Sequence, residues 1–149
     1  MSASCRRALF AAAFAFVPCA PLFAQGGATV SGVHASDEFC KTMMKQFDLS
    51  VAYNKSNAGQ MPNEKQQAKY IADQKALNAT LVKTAPVSLT GDITAFMKVA
   101  NAFYDVQLAG RRGNPAAMKS ANQAMRSPEH VAQSKRMFDY CGVKMAPPQ

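Results

Sequence analysis

The chain has 149 residues, a length that suits one domain able to bury roughly two-thirds of its surface. Seventeen Lys and Arg against nine Asp and Glu leave a formal net charge of +8, which directs attention to anionic partners. Beyond the first 24 residues no apolar run approaches the roughly 20 residues of a spanning helix, so the rest of the sequence offers no transmembrane segment.

The amino-terminal segment reads as a secretory signal peptide. Arg6 and Arg7 supply the positive region, and Ala8 to Val17 an apolar run too short to cross a bilayer. Pro18 to Ala24 then breaks the run and ends in a small residue. The expected cut follows Ala24, with Ala28 as the alternative, and the expected location is secreted or periplasmic. Removing these 24 residues and their two arginines leaves 125 residues carrying +6. Two of the four cysteines go with them, so Cys40 and Cys141 remain.

Residues 25–35 are rich in Gly, Ser and Thr without a period, and are expected to form a flexible arm. The domain proper is expected over 36–143. Ser36 is a suitable helix N-cap, and Asp37 and Glu38 place negative charge in the first turn, where the helix dipole favours it. Cys40, Met44, Phe47 and Val51 then share one face, predicting a first helix to about Asn54. Asn63, with Gln66 three residues on, opens a second helix. Its predicted stripe is Tyr70, Ile71, Leu77, Leu81 and Ala85, and Pro86 ends it. A third helix starts near Thr90 or Asp92, with Ile93, Phe96, Met97, Ala100, Phe103, Tyr104 and Leu108 on one side. Asn114 before Pro115 and Ser127 before Pro128 each predict a cap followed by a proline at the first helical position. The last helix is predicted to bury Val131, Ser134, Phe138 and Cys141, with Gly142 as its C-cap. Residues 144–149 are expected to be a disordered tail.

No stretch alternates like a strand. The expected fold is all-α, a small antiparallel bundle of four passes whose last pass is broken at Pro128. The cysteines agree with this arrangement. An exported domain with two cysteines most often bonds them to each other. Cys40 starts the first helix and Cys141 ends the last, so an even number of passes brings them together. Five full passes would leave them about 30 Å apart, too far for a disulfide. A single long-range Cys40–Cys141 bond is therefore expected to close the bundle.

The chemistry is less legible. The sequence has no C-x-x-C, no glycine-rich phosphate loop, no H-E-x-x-H and no G-x-S-x-G. No catalytic residues, metal ligands or required cofactor are assigned, and an enzyme is not expected. The methionines are spread over all helices rather than clustered as copper(I) ligands, and Met44, Met97 and Met125 read as core filler. Tyr104 and His130 are the only axial haem pair that the expected topology would bring toward one end of the bundle. The commoner situation for such residues is a core tyrosine and a surface histidine. His130 is also expected to be the only histidine in the structured part of the chain.

Charge is uneven. From Arg111 onward there are seven basic and two acidic residues. Arg111, Arg112, Lys119, Arg126 and Arg136 are candidates for a face that meets an anionic envelope component or an acidic protein. Nucleic acid is not an expected partner outside the cytosol, and no aromatic residues interleave with these cations as a stacking platform. Two sequons occur, at Asn54 and Asn78, of use only where exported proteins are glycosylated. The expectation from sequence is an exported, non-enzymatic helical protein that binds a partner or ligand in the cell envelope. The alternative is a carrier of haem or another small apolar ligand in the bundle core.

Overall fold

A computed structural model describes residues 28–58, 62–109 and 114–145. The signal-peptide reading of residues 1–24 and the candidates Arg111 and Arg112 lie outside them. The described chain forms a short strand β1 (Ala28–Val30), then helices α1 (Glu38–Ser56) and α2 (Glu64–Lys83). A 3-10 turn at Val87–Leu89 leads into α3 (Thr90–Ala109). Helices α4 (Pro115–Met125) and α5 (Pro128–Cys141) follow, and a strand β2 (Val143–Met145) closes the series. The protein is an all-α helical bundle closed by a Cys40–Cys141 disulfide.

Local chemistry explains most boundaries. At α2, Asn63 Oδ1 accepts from the Gln66 amide at 2.9 Å while Gln66 Oε1 accepts from the Asn63 amide at 3.1 Å, a complete capping box. Asn114 and Ser127 cap α4 and α5 by accepting from Ala116 N and His130 N. Each is followed by a proline whose missing N–H costs nothing in the first turn. Gly142 ends α5 in the left-handed region at φ 62°, which glycine enters without a Cβ penalty. The cap of α1 is Asp37 rather than Ser36, and its carboxylate is engaged elsewhere.

Three pairs of contacts fix the antiparallel order. Gln46 meets Asn78 and Ser50 meets Tyr70, so α2 runs back along α1. Lys75 meets Asp105 and Asn78 meets Asn101, so α3 runs back along α2. His130 stacks on Phe96 while Arg136 binds Asp92, so α5 returns along α3. Helix α4 also packs on α3, and α4 and α5 together make the fourth pass, interrupted at Ser127 and Pro128. Four passes return the chain to its starting end. There the Cys40 and Cys141 Cα atoms lie 5.5 Å apart and the two sulfurs are bonded.

Around that bond lies the main core cluster: Phe39, Cys40, Met43, Leu81, Leu89, Ile93, Met97, Met137 and Cys141. The expected stripes are turned on two helices. On α5 the buried residues are His130, Gln133, Met137 and Cys141, one position before each expected residue except the cysteine. Val131 is 55% exposed. On α1 Phe39, Thr42 and Met43 are buried, and Met44 and Phe47 are only half-buried. One residue is about 100° of helix rotation, so a hydropathy-based choice between neighbours decides which face points inward. Met97 fills the core as expected, but Met44 and Met125 are half-buried and Met43 and Met137 take the inner places.

Two further differences concern the chain ends. The expected flexible arm is ordered from Ala28: β1 pairs antiparallel with β2, placing Val30 opposite Val143 and Ala28 opposite Met145. The expected disordered tail is likewise a strand at Lys144 and Met145. The cause is proximity. The disulfide brings both ends to one place, and the left-handed turn at Gly142 lets the chain pair, with Ser31 N donating to Gly142 O at 3.2 Å. Strands of three residues carry no alternation that a sequence reading could detect.

Away from the disulfide, buried polar residues join the apolar Ile71, Ala100 and Phe103. Gln74 and Asn78 are fully buried. Asn78 accepts from Gln46 Nε2 at 2.5 Å and donates to Asn101 at 2.7 Å, linking α1, α2 and α3. Gln74 donates to Ser50 Oγ at 2.9 Å, and Tyr70 stacks on Tyr53 with ring centres 3.9 Å apart. Burial of Asn78 closes its sequon to modification in the folded protein.

Candidate functional site

Of the five basic candidates, Lys119, Arg126 and Arg136 lie among the described residues, and Arg136 is set apart from the other two. Arg136 forms a two-pronged ion pair with Asp92, Nε to Oδ2 at 2.6 Å and Nη2 to Oδ1 at 2.7 Å, and also reaches Glu129 at 3.2 Å. The guanidinium hydrogen bond holds the Asp92 carboxyl below its usual range. Arg136 thus fastens α5 to α3 and is withdrawn from any anionic-partner face. Lys135 is similarly turned to Asp139, one helical turn on, at 2.5 Å. Neither pairing of Arg136 with Asp92 nor its consequence is visible in sequence, because the two residues are 44 positions apart.

Lys119 and Arg126 do come together. Both line a groove of about 630 Å³ at the joint between α4 and α5, with Met118, Asn122, Gln123 and Pro128 among its other walls. They lie seven residues apart, which is about 10 Å along the helix axis. Lys119 lies on α4 and Arg126 is its C-cap, and no residue of α4 is fully buried. Its larger apolar side chains, Met118 and Met125, lie half-buried. Asn122 Oδ1 is enclosed without a hydrogen-bond partner. A buried carbonyl left unpaired costs roughly 1–3 kcal/mol.

His130 is buried, not on the surface as a first-turn histidine is expected to be. It is 4% exposed, its ring lies flat on Phe96 with centres 4.0 Å apart, and neither ring nitrogen has a hydrogen-bond partner. Burial pushes its imidazole below the ordinary histidine range. Tyr104 lies eight residues beyond Phe96 on α3, about 12 Å of helical rise, and packs beside Phe103. The structure therefore seats His130 at the level of Phe96 and does not bring Tyr104 and His130 together as an axial pair.

His130 makes stability depend on pH. The folded state resists the proton that the unfolded chain accepts near pH 6.5. The unfolded chain then binds more protons, so stability is complete above that pH and falls as pH drops below it. The expected loss is up to about 1.4 kcal/mol per pH unit. Urea unfolding at a series of pH values between about 7.5 and 5.5 should show this slope in the native chain and a flatter one in His130→Leu. Equal slopes would refute the assignment.

A second histidine belongs to the structured region after all. His34 stacks on Tyr140 with ring centres 4.0 Å apart, and its Nδ1 lies 3.0 Å from Asp37 Oδ2. The Tyr140 hydroxyl donates to the same Asp37 oxygen at 3.0 Å. Burial first, and then Asp37, push the Tyr140 hydroxyl above its ordinary range. The cluster includes an imidazole, a carboxylate and a phenol, but no serine, threonine or thiol nucleophile takes part in these contacts. Its geometric effect is to tie the segment after β1 to the end of α5. The adjacent Cys40 and Cys141 are 0% and 1% exposed and bonded to each other.

Among the described residues no three or more His, Cys, Asp or Glu side chains group as a metal site, and no helix is long and apolar enough to cross a membrane. Among the described residues, the α4–α5 groove is a concave surface open to contact with another molecule. No family model, no curated protein and no solved structure matches this chain.

Proposed function

We propose that this chain is an exported, non-enzymatic helical protein that binds an anionic partner in the cell envelope. The observation that carries this reading is the buried Cys40–Cys141 bond closing the whole bundle. Structural disulfides of this kind persist in oxidising compartments and are rare where glutathione and thioredoxin keep thiols reduced. The charge supports the second half. Seven basic residues against two acidic ones after Gly110 leave an excess of cations even with Arg136 and Lys135 engaged within the fold.

The test is a native mass spectrum of the chain isolated from the exported fraction of its own cells, repeated after denaturation with and without reductant. The expected mass is that of residues 25–149, rising by about two hydrogens on reduction. A chain found only in the cytosol with free thiols would overturn the export reading. A small molecule that leaves on denaturation would replace the partner-binding reading with the carrier of haem or another apolar ligand.

A further inference from the structure

We infer that the β1–β2 ribbon and the His34–Asp37–Tyr140 cluster form a lid over the Cys40–Cys141 bond, and that a thiol reductant reaches the sulfurs when this lid opens while the four passes stay folded. The bond then acts as a redox switch on the folded protein, not only as a fixed brace.

Three observations carry this. The first is what covers the bond. Cys40 and Cys141 are both buried. Val30 of β1 and Val143 of β2 stand opposite each other in the ribbon, and both pack against the cluster that contains the two cysteines. Tyr140 packs there too and meets the Phe39 ring edge-on, with centres 6.1 Å apart. Part of the cover is therefore the ribbon, which lies outside the helices.

The second is how lightly the lid is held. Each strand has three residues, and a two-stranded ribbon is marginally stable at best by itself. Beyond the ladder, the segment after β1 is fastened by few groups. Ser31 N donates to Gly142 O, the His34 ring lies on Tyr140, and Asp37 accepts from the Tyr140 hydroxyl. His34 and Asp37 are only half-buried, so water competes for these contacts. Segments of this kind open locally at far lower cost than the whole fold.

The third is what remains when the lid opens. The packing of α1 on α2 and of α2 on α3 does not pass through the ribbon, and neither does the Arg136–Asp92 pair that fastens α5 to α3. Opening the lid therefore uncovers one side of the cysteine cluster without requiring the bundle to unfold.

The chemistry is thiol–disulfide exchange. A thiolate of the reductant attacks one sulfur and forms a bond to it as the Cys40–Cys141 bond breaks, and the other cysteine leaves as a thiolate. The second thiolate of the reductant then displaces the first cysteine. The reductant ends as its own disulfide, and both cysteines take up protons as thiols.

The experiment measures how fast dithiothreitol reduces the folded, oxidised chain, with free thiols alkylated at intervals and counted by mass. Two variants accompany the native chain. Tyr140→Phe removes the hydrogen bond to Asp37 and keeps the ring. Asn101→Ala takes the acceptor from Asn78 Nδ2 in the polar layer and leaves the lid untouched. Urea unfolding of each oxidised chain gives its stability. The expected result is that Tyr140→Phe is reduced about three- to tenfold faster, the worth of one hydrogen bond. Asn101→Ala should be reduced at the native rate although its urea midpoint falls. Urea below the unfolding transition should change the native rate little, because opening a short ribbon exposes little surface.

Two results would overturn the proposal. Both variants reduced faster in proportion to their lost stability, with a urea dependence as steep as that of unfolding, would show that reductant reaches the bond only in the unfolded chain. A rate that Tyr140→Phe leaves unchanged would show that the cluster does not hold a lid over the bond.

Discussion

Replacing Cys40 and Cys141 together by alanine is expected to lower the unfolding free energy by about 4–5 kcal/mol. The two residues are 101 positions apart, so their bond closes most of the described chain into one loop. Loop-closure entropy of the unfolded chain grows with loop length, and this loop is near the upper end for a small domain. Small domains have about 5–15 kcal/mol in total, so the loss is a large share of it. The bundle has few other reserves at this point, because α4 contributes no fully buried residue and the fourth pass is broken at Ser127. Urea unfolding of the native and double-alanine chains measures the difference. The midpoint should fall sharply, and reductant should move the native chain but not the variant. A difference below about 1 kcal/mol would show that the ribbon and core hold the ends together without the bond.

Gly142→Ala should be the most damaging single change outside the core. At φ 62° an L side chain pays about 1–2 kcal/mol for the backbone alone. Here a Cβ would also overlap the carbonyl oxygen and carbon of Ser31, which are backbone atoms and cannot swing aside. Relief requires β1 to leave β2, which gives up the ladder from Ala28 to Val30 and the half-buried contact of Val30 with the core cluster. The expected total is about 2 kcal/mol or more. Gly32→Ala provides the comparison, because Gly32 also has a positive φ, 129°, but has nothing within 4 Å of the added carbon. Thermal unfolding should rank Gly142→Ala well below Gly32→Ala. Hydrogen exchange should place the extra loss at Ser31 and along β1. Equal melting temperatures would show that the approach of Ser31 to Gly142 is not a constraint.

What the sequence disclosed depended on the range of each interaction. Capping acts over three or four residues, so Asn63, Asn114, Ser127 and Gly142 were all legible, and so was the break at Pro128. The disulfide was legible because parity of passes is a global property that only two cysteines had to satisfy. The faces of α1 and α5 were less legible. Hydropathy prefers Val131 to His130, but position on the helix relative to α3 puts His130 inside against Phe96. Gln74 and Asn78 broke the apolar stripe of α2 because their partners, Gln46, Ser50 and Asn101, lie on other helices. The same limit applied to the candidate site. A count of basic residues could not foresee that Arg136 is held by Asp92 on another helix. His34 was missed because residues 25–35 read as a flexible arm until Tyr140 is brought beside His34.

The pairing of β1 with β2 beside the disulfide also determines how the molecule meets mechanical force. Both chain ends leave the bundle at one place, and the covalent bond lies between that place and the helices. Tension applied to the two termini would peel the short ribbon and then stop at the sulfurs. The segment between Cys40 and Cys141, with all its helices, would carry no extension. Stretching could lengthen only the residues outside the bond, by at most about 3.6 Å each. A tether through either end would transmit pull across the molecule without disturbing the surface formed by α4 and α5.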